Sequence, residues 1–229
     1  MRNILARGLV ALLMSVSCQH PCFAAPKLAT DDVVKKIQAH YDQTKTFSAD
    51  FTQNYTMKLF KKTNTSKGKI LLKHPGMMRW DYQAPQPKSF IIYETTLWMV
   101  KTDENEALKD ACFKSDGLTA SISFLWGKGN IKKEFNVSAM PSSKNGDYAL
   151  KLKPKQNNSI FDHLLVVADA KTFRIHASTV VDAQGNHNEF VFTNMKWNTA
   201  IGNDVFKFVP SKGMHVSAVP GSCKVNAGP

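Results

Sequence analysis

Residues 74–82 read HPGMMRWDY, two methionines and two large aromatics around one arginine after a Pro-Gly pair. The Pro-Gly pair breaks the chain before Met77. Beyond it the residues alternate. Met78, Trp80 and Tyr82 fall on one face of a strand, and Arg79 and Asp81 fall on the other. A strand that carries so much aromatic surface on one side must bury that side. The question is whether it faces a solid core or the wall of an apolar cavity.

Period two extends in both directions. Upstream, FSADFTQNYTMKLF (47–60) and GKILLK (68–73) read as strands, and the polar stretch KKTNTSKG (61–68) between them reads as a turn. Downstream, SFIIYE (89–94) and TLWMVK (96–101) predict a hairpin across Glu94-Thr95-Thr96, with Phe90, Ile92, Trp98 and Val100 inward. Further strands are expected in EFNVSA (134–139), DYALKLKP (147–154), HLLVVAD (163–169), FRIHASTVVD (173–182), NEFVFTNMKW (188–197) and DVFKFVP (204–210). Gly-, Asn- and Asp-rich turns separate most of them.

Two segments have helical spacing. TDDVVKKIQAHYDQTKTF (30–47) places Val33, Val34, Ile37, Tyr41 and Thr44 on one stripe, with Thr30 as the expected N-cap. SDGLTASISFLWGKG (115–129) places Leu118, Ile122 and Leu125 or Trp126 on one side. The composite is mainly β with helical covers: one domain, an antiparallel sheet of about ten short strands, curved or rolled toward a barrel.

The expected inner face holds Phe51, Met78, Trp80, Tyr82, Phe90, Ile92, Trp98, Phe135, Val137, Tyr148, Leu150, Phe173, Ile175, Phe190, Phe192, Phe206 and Phe208. A curved sheet lined this way encloses either a filled core or an apolar hollow, and composition alone does not separate them. Met77 and Met78 suit an adaptable lining.

The chain has 229 residues and a formal net charge of +12. Arg2 and Arg7 precede the apolar run LVALLMSVSC and the small-residue stretch CFAAP. This is the build of a cleaved export signal, placed at residues 1–24. SVSC lacks the large aliphatic residue that would mark Cys18 for lipidation. Removal of 1–24 takes two basic and no acidic residues, leaving +10. It also leaves two cysteines, Cys112 and Cys223, as a candidate disulfide in an oxidising compartment. The positive charge suits a solvated face or contact with anionic headgroups and acidic partners. No nucleic-acid motif is present.

No GxSxG, HExxH, metal-spaced histidine pair or phosphate-cradling glycine run occurs, and the seven histidines are scattered. Neither a catalytic site nor a metal or cofactor is expected. A binding protein is the reading, with an exported enzyme assembled from distant residues as the rival class.

Several stretches resemble the outer-membrane lipoprotein carrier family LolA. FSADFTQ (47–53) is similar to the family's Phe-x-Ala-x-Phe-x-Gln stretch. The block from Gly68 through Pro75, Gly76, Arg79, Trp80 and Pro85 resembles its glycine, Pro-Gly and Arg-Trp series. TLWMV, FLWGKGNIKKEFNV and FKFVPSKGMHV match later blocks in order. The resemblance implies an incomplete antiparallel barrel of 10–11 strands under a helical lid, in a carrier domain of residues 25–229. It also implies a periplasmic location, lipoprotein cargo held by its acyl chains, and action as a monomer between a LolCDE-type transporter and a LolB-type acceptor. By this resemblance the acyl cavity is expected at Phe47, Phe51, Met78, Trp80, Tyr82, Phe90, Ile92, Trp98, Phe135, Leu150, Phe173, Phe190, Phe192 and Phe206. The lid and mouth are expected at Ile37, Tyr41, His74, Met77, Leu118, Ile122, Leu125 and Trp126. Some members carry an arginine tied to lid closure and cargo release where this chain has His74. The alternative within the same fold is a lipid- or lipoprotein-sensing module that carries nothing.

Overall fold

The computed structural model describes residues 28–113, 129–141, 146–156 and 161–220. The expected signal 1–24, the helical patch with Leu118, Ile122, Leu125 and Trp126, and Cys223 lie outside the described residues.

Helix α1 spans Thr30–Asp42 and buries Val33, Val34, Ile37 and Tyr41. Its N-cap is Ala29 and not Thr30. Asp31 and Asp32 occupy the first turn, where the helix dipole favours negative charge. The strands are β1 Thr46–Met57, β2 Lys62–Lys73, β3 Met77–Ala84, β4 Lys88–Tyr93, β5 Thr96–Lys101, β6 Glu106–Asp110, β7 Phe135–Ala139, β8 Tyr148–Pro154, β9 His163–Ala168, β10 Ile175–Val181, β11 His187–Trp197 and β12 His215–Ala218. A single helical turn, Ile131–Glu134, precedes β7.

All twelve strands form one open sheet in the order β12-β6-β5-β4-β3-β2-β1-β11-β10-β9-β8-β7. The chain thus lays down two meanders, β1–β6 and β7–β11. The pairing of β1 with β11, from Phe47–Trp197 to Thr56–His187, joins them. Every pair is antiparallel except β12 on β6, which is parallel.

Three departures from the sequence reading have physical causes. KKTNTSKG is not a turn; most of it is β2, in register with β1 from Lys62–Met57 to Lys73–Thr46. Its threonines are good strand formers, but its polarity hides the strand because this end of the sheet faces water. DVFKFVP is not a strand; Asn203–Phe206 is a 3₁₀ turn. The strands β6 and β12 have no clear signature in the residue order, because both are short and β12 is exposed throughout.

A main apolar cluster collects Val33, Val34, Ile37 and Tyr41 of α1 with side chains from both meanders, including Phe51, Trp80, Ile92, Leu150, Leu164 and Phe190. A second cluster, Ile91, Val100 and Ala107 with Trp98, Phe208 and Met214 packed on it, lies on the opposite face of β4–β6.

Gly68 marks the tightest point of the main face. A Cβ built there would collide with the Asp81 carbonyl oxygen and lie 2.8 Å from the Phe51 ring. The β2–β3 register shifts at Lys67/Gly68, as at a bulge that bends a strand. Replacing Gly68 with Ala is expected to destabilise the protein by about 1–3 kcal/mol through overpacking. A thermal melt should show a midpoint several degrees lower; an unchanged midpoint would mean that the two strands separate there without cost.

Candidate functional site

The side chains that alternate inward from β1, β3, β4 and β11 form a continuous aromatic surface. Phe51 on β1 lies 5.1 Å from Trp80, 5.0 Å from Tyr82 and 6.0 Å from Phe190, ring centre to ring centre. Trp80 and Phe190 meet edge to face at 5.1 Å. The series continues through Phe192, stacked on Phe190 at 6.4 Å, to Phe47 and then Trp197 at 4.3 Å. At the other end Tyr82 meets Phe90 at 6.1 Å.

These contacts require curvature. Trp80 on β3 and Phe190 on β11 are three strand spacings apart, roughly 14 Å across a flat sheet. Their rings touch, so the sheet bends toward this face. Gly68 on the intervening β2 leaves the room that the Phe51 ring takes.

Alternation along β3 falls as the sequence predicts. Met78 and Trp80 are buried in the main cluster and Tyr82 packs against it. Arg79 turns to the other face. There its Nε donates to Asp81 at 2.7 Å, and its Nη1 donates to the Val205 carbonyl at 3.0 Å. Burial pushes the Tyr82 hydroxyl up to about 12, so it is neutral throughout the physiological range.

Helix α1 covers part of this surface and is tied at both ends by polar contacts. Gln38 accepts from the Ile131 N–H at 3.0 Å and Lys132 pairs with Asp31 at 2.8 Å. At the C-terminal end the Lys45 N–H donates to Asn198 Oδ1 at 2.7 Å, and the His74 N–H donates to the Lys45 carbonyl at 2.9 Å. His40 sits against Trp197, ring centres 4.6 Å apart, and the Arg174 guanidinium lies 5.6 Å from the same indole.

The expected lining residues divide. Phe47, Phe51, Met78, Trp80, Ile92, Phe135, Leu150, Phe190 and Phe192 are buried together in the main cluster, and Tyr82, Phe90 and Phe173 pack against it. Phe173 does so from a left-handed turn residue, stacked on Tyr148 at 5.7 Å, and not from a strand. Ile37 and Tyr41 enter the same cluster from α1.

Trp98 and Val100 are corrected to the opposite face. The hairpin loop is Glu94-Thr95, with Tyr93 paired to Thr96 and Ile91 to Trp98. A loop of two residues in place of three slips the register by one and reverses every side chain of β5. Leu97 is therefore the inward residue. Phe206 is fully buried but belongs to neither cluster; its 3₁₀ turn is held by Arg79 on the outer side of β3. Phe208 packs on the second cluster.

His74 precedes a cis bond to Pro75 in the β2–β3 turn, and Met77 opens β3 beside it. Cys112 is disulfide-bonded; the expected partner Cys223 lies outside the described residues.

Sequence alternation misses Trp197 and Met195. Parity from Phe190 and Phe192 places them outward, yet both pack on the main cluster. A bulge between Ser48 and Asp50 of the β1–β11 ladder explains this. Asn194 adopts a left-handed φ of 51° and donates to Asp50 at 2.7 Å, and the extra residue inverts the parity beyond it. The Asn-Met pair offers a weak signal, since Asn tolerates that conformation.

The fold is an open β-sheet whose bent, aromatic face is partly covered by a helix. The family described as "Outer membrane lipoprotein carrier protein LolA" matches residues 42–209, and the chain belongs to it. An outer-membrane lipoprotein carrier protein of Neisseria meningitidis serogroup C is 27% identical over 169 residues, covering 74% of this chain and 79% of the relative. The Chromobacterium violaceum protein of the same name is 27% identical over 194 residues, covering 84% and 90%. Among solved structures, an uncharacterized conserved protein from Thermus thermophilus superposes with a TM-score of 0.52 at 8% identity, covering 82% of this chain and 98% of that one. At that identity the likeness shows the fold alone.

His40 supplies a pH dependence. Burial, and then the nearby charge of Arg174, hold its imidazole below the ordinary histidine range. The neutral form therefore favours the docked helix. Its contribution is present above the unfolded value of ~6.5 and is lost as pH falls through the lower folded value. Protection factors across α1, the exchange rates corrected for the intrinsic pH dependence of amide exchange, are expected to fall as pH drops from neutral into the acid range in the native protein, and to fall less in His40→Gln. An equal fall in both would place the sensitivity elsewhere.

Proposed function

We propose that this chain is a periplasmic carrier, exported on residues 1–24, that takes the acyl chains of lipoproteins against its aromatic face. It would receive them from a LolCDE-type transporter and pass them to a LolB-type acceptor. The observation that carries this reading is the unbroken aromatic surface from Phe90 through Tyr82, Trp80, Phe51, Phe190 and Phe192 to Phe47, bent inward and covered in part by α1. Family membership supports the same reading.

A carrier must let go of what it binds. An acyl chain of about 16 carbons gains roughly 12 kcal/mol gross when its methylenes leave water. Unopposed, that would make release slow. Helix α1 supplies opposition, because Val33, Val34, Ile37 and Tyr41 already bury themselves in the same cluster. Burial of four such side chains is worth about 6–12 kcal/mol gross, the same order as one chain. Cargo and helix then compete for one surface, and the net affinity is the small difference. The sheet remains open between β12 and β7, so this gate would work as an unclosed barrel under a movable lid.

Two measurements test the reading. Mass spectrometry of the protein purified from its native periplasm should find acylated lipoprotein or its lipid anchor. Ile37→Ala removes about 2–5 kcal/mol of helix packing, so a long-chain fluorescent acyl probe should bind at least tenfold tighter and leave more slowly. Probe affinity that stays the same or weakens would exclude α1 as the competitor.

A further inference from the structure

The β1–β2 hairpin ends in an apolar tip that the fold does not use. Leu59 is 84% exposed and Phe60 is 70% exposed. They are adjacent, and Lys58, Lys61 and Lys62 flank them. The stem beneath is polar. The Thr56 and Thr63 hydroxyls lie 2.8 Å apart, Thr65 donates to Asn54 at 3.0 Å, and Asn54 donates to Glu189 at 3.0 Å. Tyr55 and Met57 are the apolar side chains of the neighbouring β1 stem, and Leu59 and Phe60 remain exposed beyond them.

The tip is braced at its base. The Lys58 N–H donates to Asn186 Oδ1 at 3.0 Å, which ties the hairpin to the β10–β11 turn. Lys61 closes the turn with a left-handed φ of 49°. Two carboxylates that share a hollow with Lys58 are engaged: Asp182 accepts from Gln184 and Asn186, and Asp162 pairs with His163. Because β1 and β2 pair from Thr46–Lys73 to Met57–Lys62, the tip stands at the far end of the hairpin from the α1 C-terminus.

We propose that this tip docks reversibly on an anionic phospholipid bilayer. Leu59 and Phe60 enter the interfacial layer, and the lysines lie among the headgroups. Charge selects this occupant, since the tip is basic on a chain of net charge +12. Shape selects it too. Two side chains on a convex turn fall far short of the ~800 Å² per partner of a specific protein interface, whereas a bilayer needs no matching cleft. Two inserted side chains hold weakly, which suits a protein that arrives and leaves. The inference stands on the tip and does not depend on acyl chains entering the sheet.

The mature chain is to be pelleted with vesicles of phosphatidylglycerol mixed with phosphatidylcholine, and with phosphatidylcholine alone. Binding is expected on the mixed vesicles and should weaken as salt rises. Leu59→Ser/Phe60→Ser should lower partitioning by about tenfold or more with an unchanged melting curve. Lys61→Gln/Lys62→Gln should remove the preference for the anionic lipid. Failure of the native protein to bind the mixed vesicles overturns the proposal, as does equal binding by Leu59→Ser/Phe60→Ser. Capture by a purified acceptor protein in place of vesicles would make the tip a protein contact and would also overturn it. Acyl-probe loading of the same samples keeps the two readings apart, because Leu59→Ser/Phe60→Ser should load like the native chain.

Discussion

Phe51 lies over Gly68 with its ring 2.8 Å from where a Cβ would be. That contact sets the shape of the site. Phe51 stands on β1, the strand that pairs with β2 on one side and β11 on the other and so joins the two meanders. A side chain at position 68 would push β2 from β3 or displace the ring. With glycine there, Trp80 from one meander and Phe190 from the other close over the centre and touch. The aromatic surface is continuous because the sheet bends at this point.

The two faces of the sheet are finished differently. The bent face receives α1, which is held by polar ties at its ends and by apolar packing along its length. The other face of β3–β6 receives the chain after β11. Arg79 holds the Val205 carbonyl, Trp98 meets Phe208 at 5.1 Å, and β12 extends the edge beside β6. The C-terminal segment thus braces one meander from outside and leaves the aromatic face to the helix. Apolar burial is non-directional, so a helix and a flexible ligand can exchange on one surface without matching hydrogen bonds. Trp80 Nε1 is buried with no hydrogen-bond partner among the described residues. The face is therefore not uniformly apolar.

Much of this is legible in the residue order. Alternation in MMRWDY separates Met78, Trp80 and Tyr82 from Arg79 and Asp81. Helical spacing selects the four side chains by which α1 docks. Both patterns follow from local backbone geometry, which needs only a few neighbouring residues to express itself. Parity also fails at particular residues. Alternation puts Trp98 inward because the hairpin loop is one residue shorter than the sequence suggests. It passes over Trp197 because of the bulge at Asn194. One residue of register reverses all of β5, and at Asn194 one extra residue reverses the part of β11 beyond it. The cross-strand ladder sets that register, and the residues of one strand alone do not contain it.

Residue order alone yields the class: a β-rich chain with one aromatic side, a helical cover and the order of motifs that marks its family. Local periodicity and turn chemistry suffice for that. Long-range packing is what makes β1 and β11 meet, bends the sheet at Gly68, puts Phe206 and Trp98 on the far side and leaves Leu59 and Phe60 in water. Those outcomes depend on contacts between residues far apart in the chain, or on the lack of them. No local pattern in a single chain encodes which distant surface will arrive to cover a given side chain.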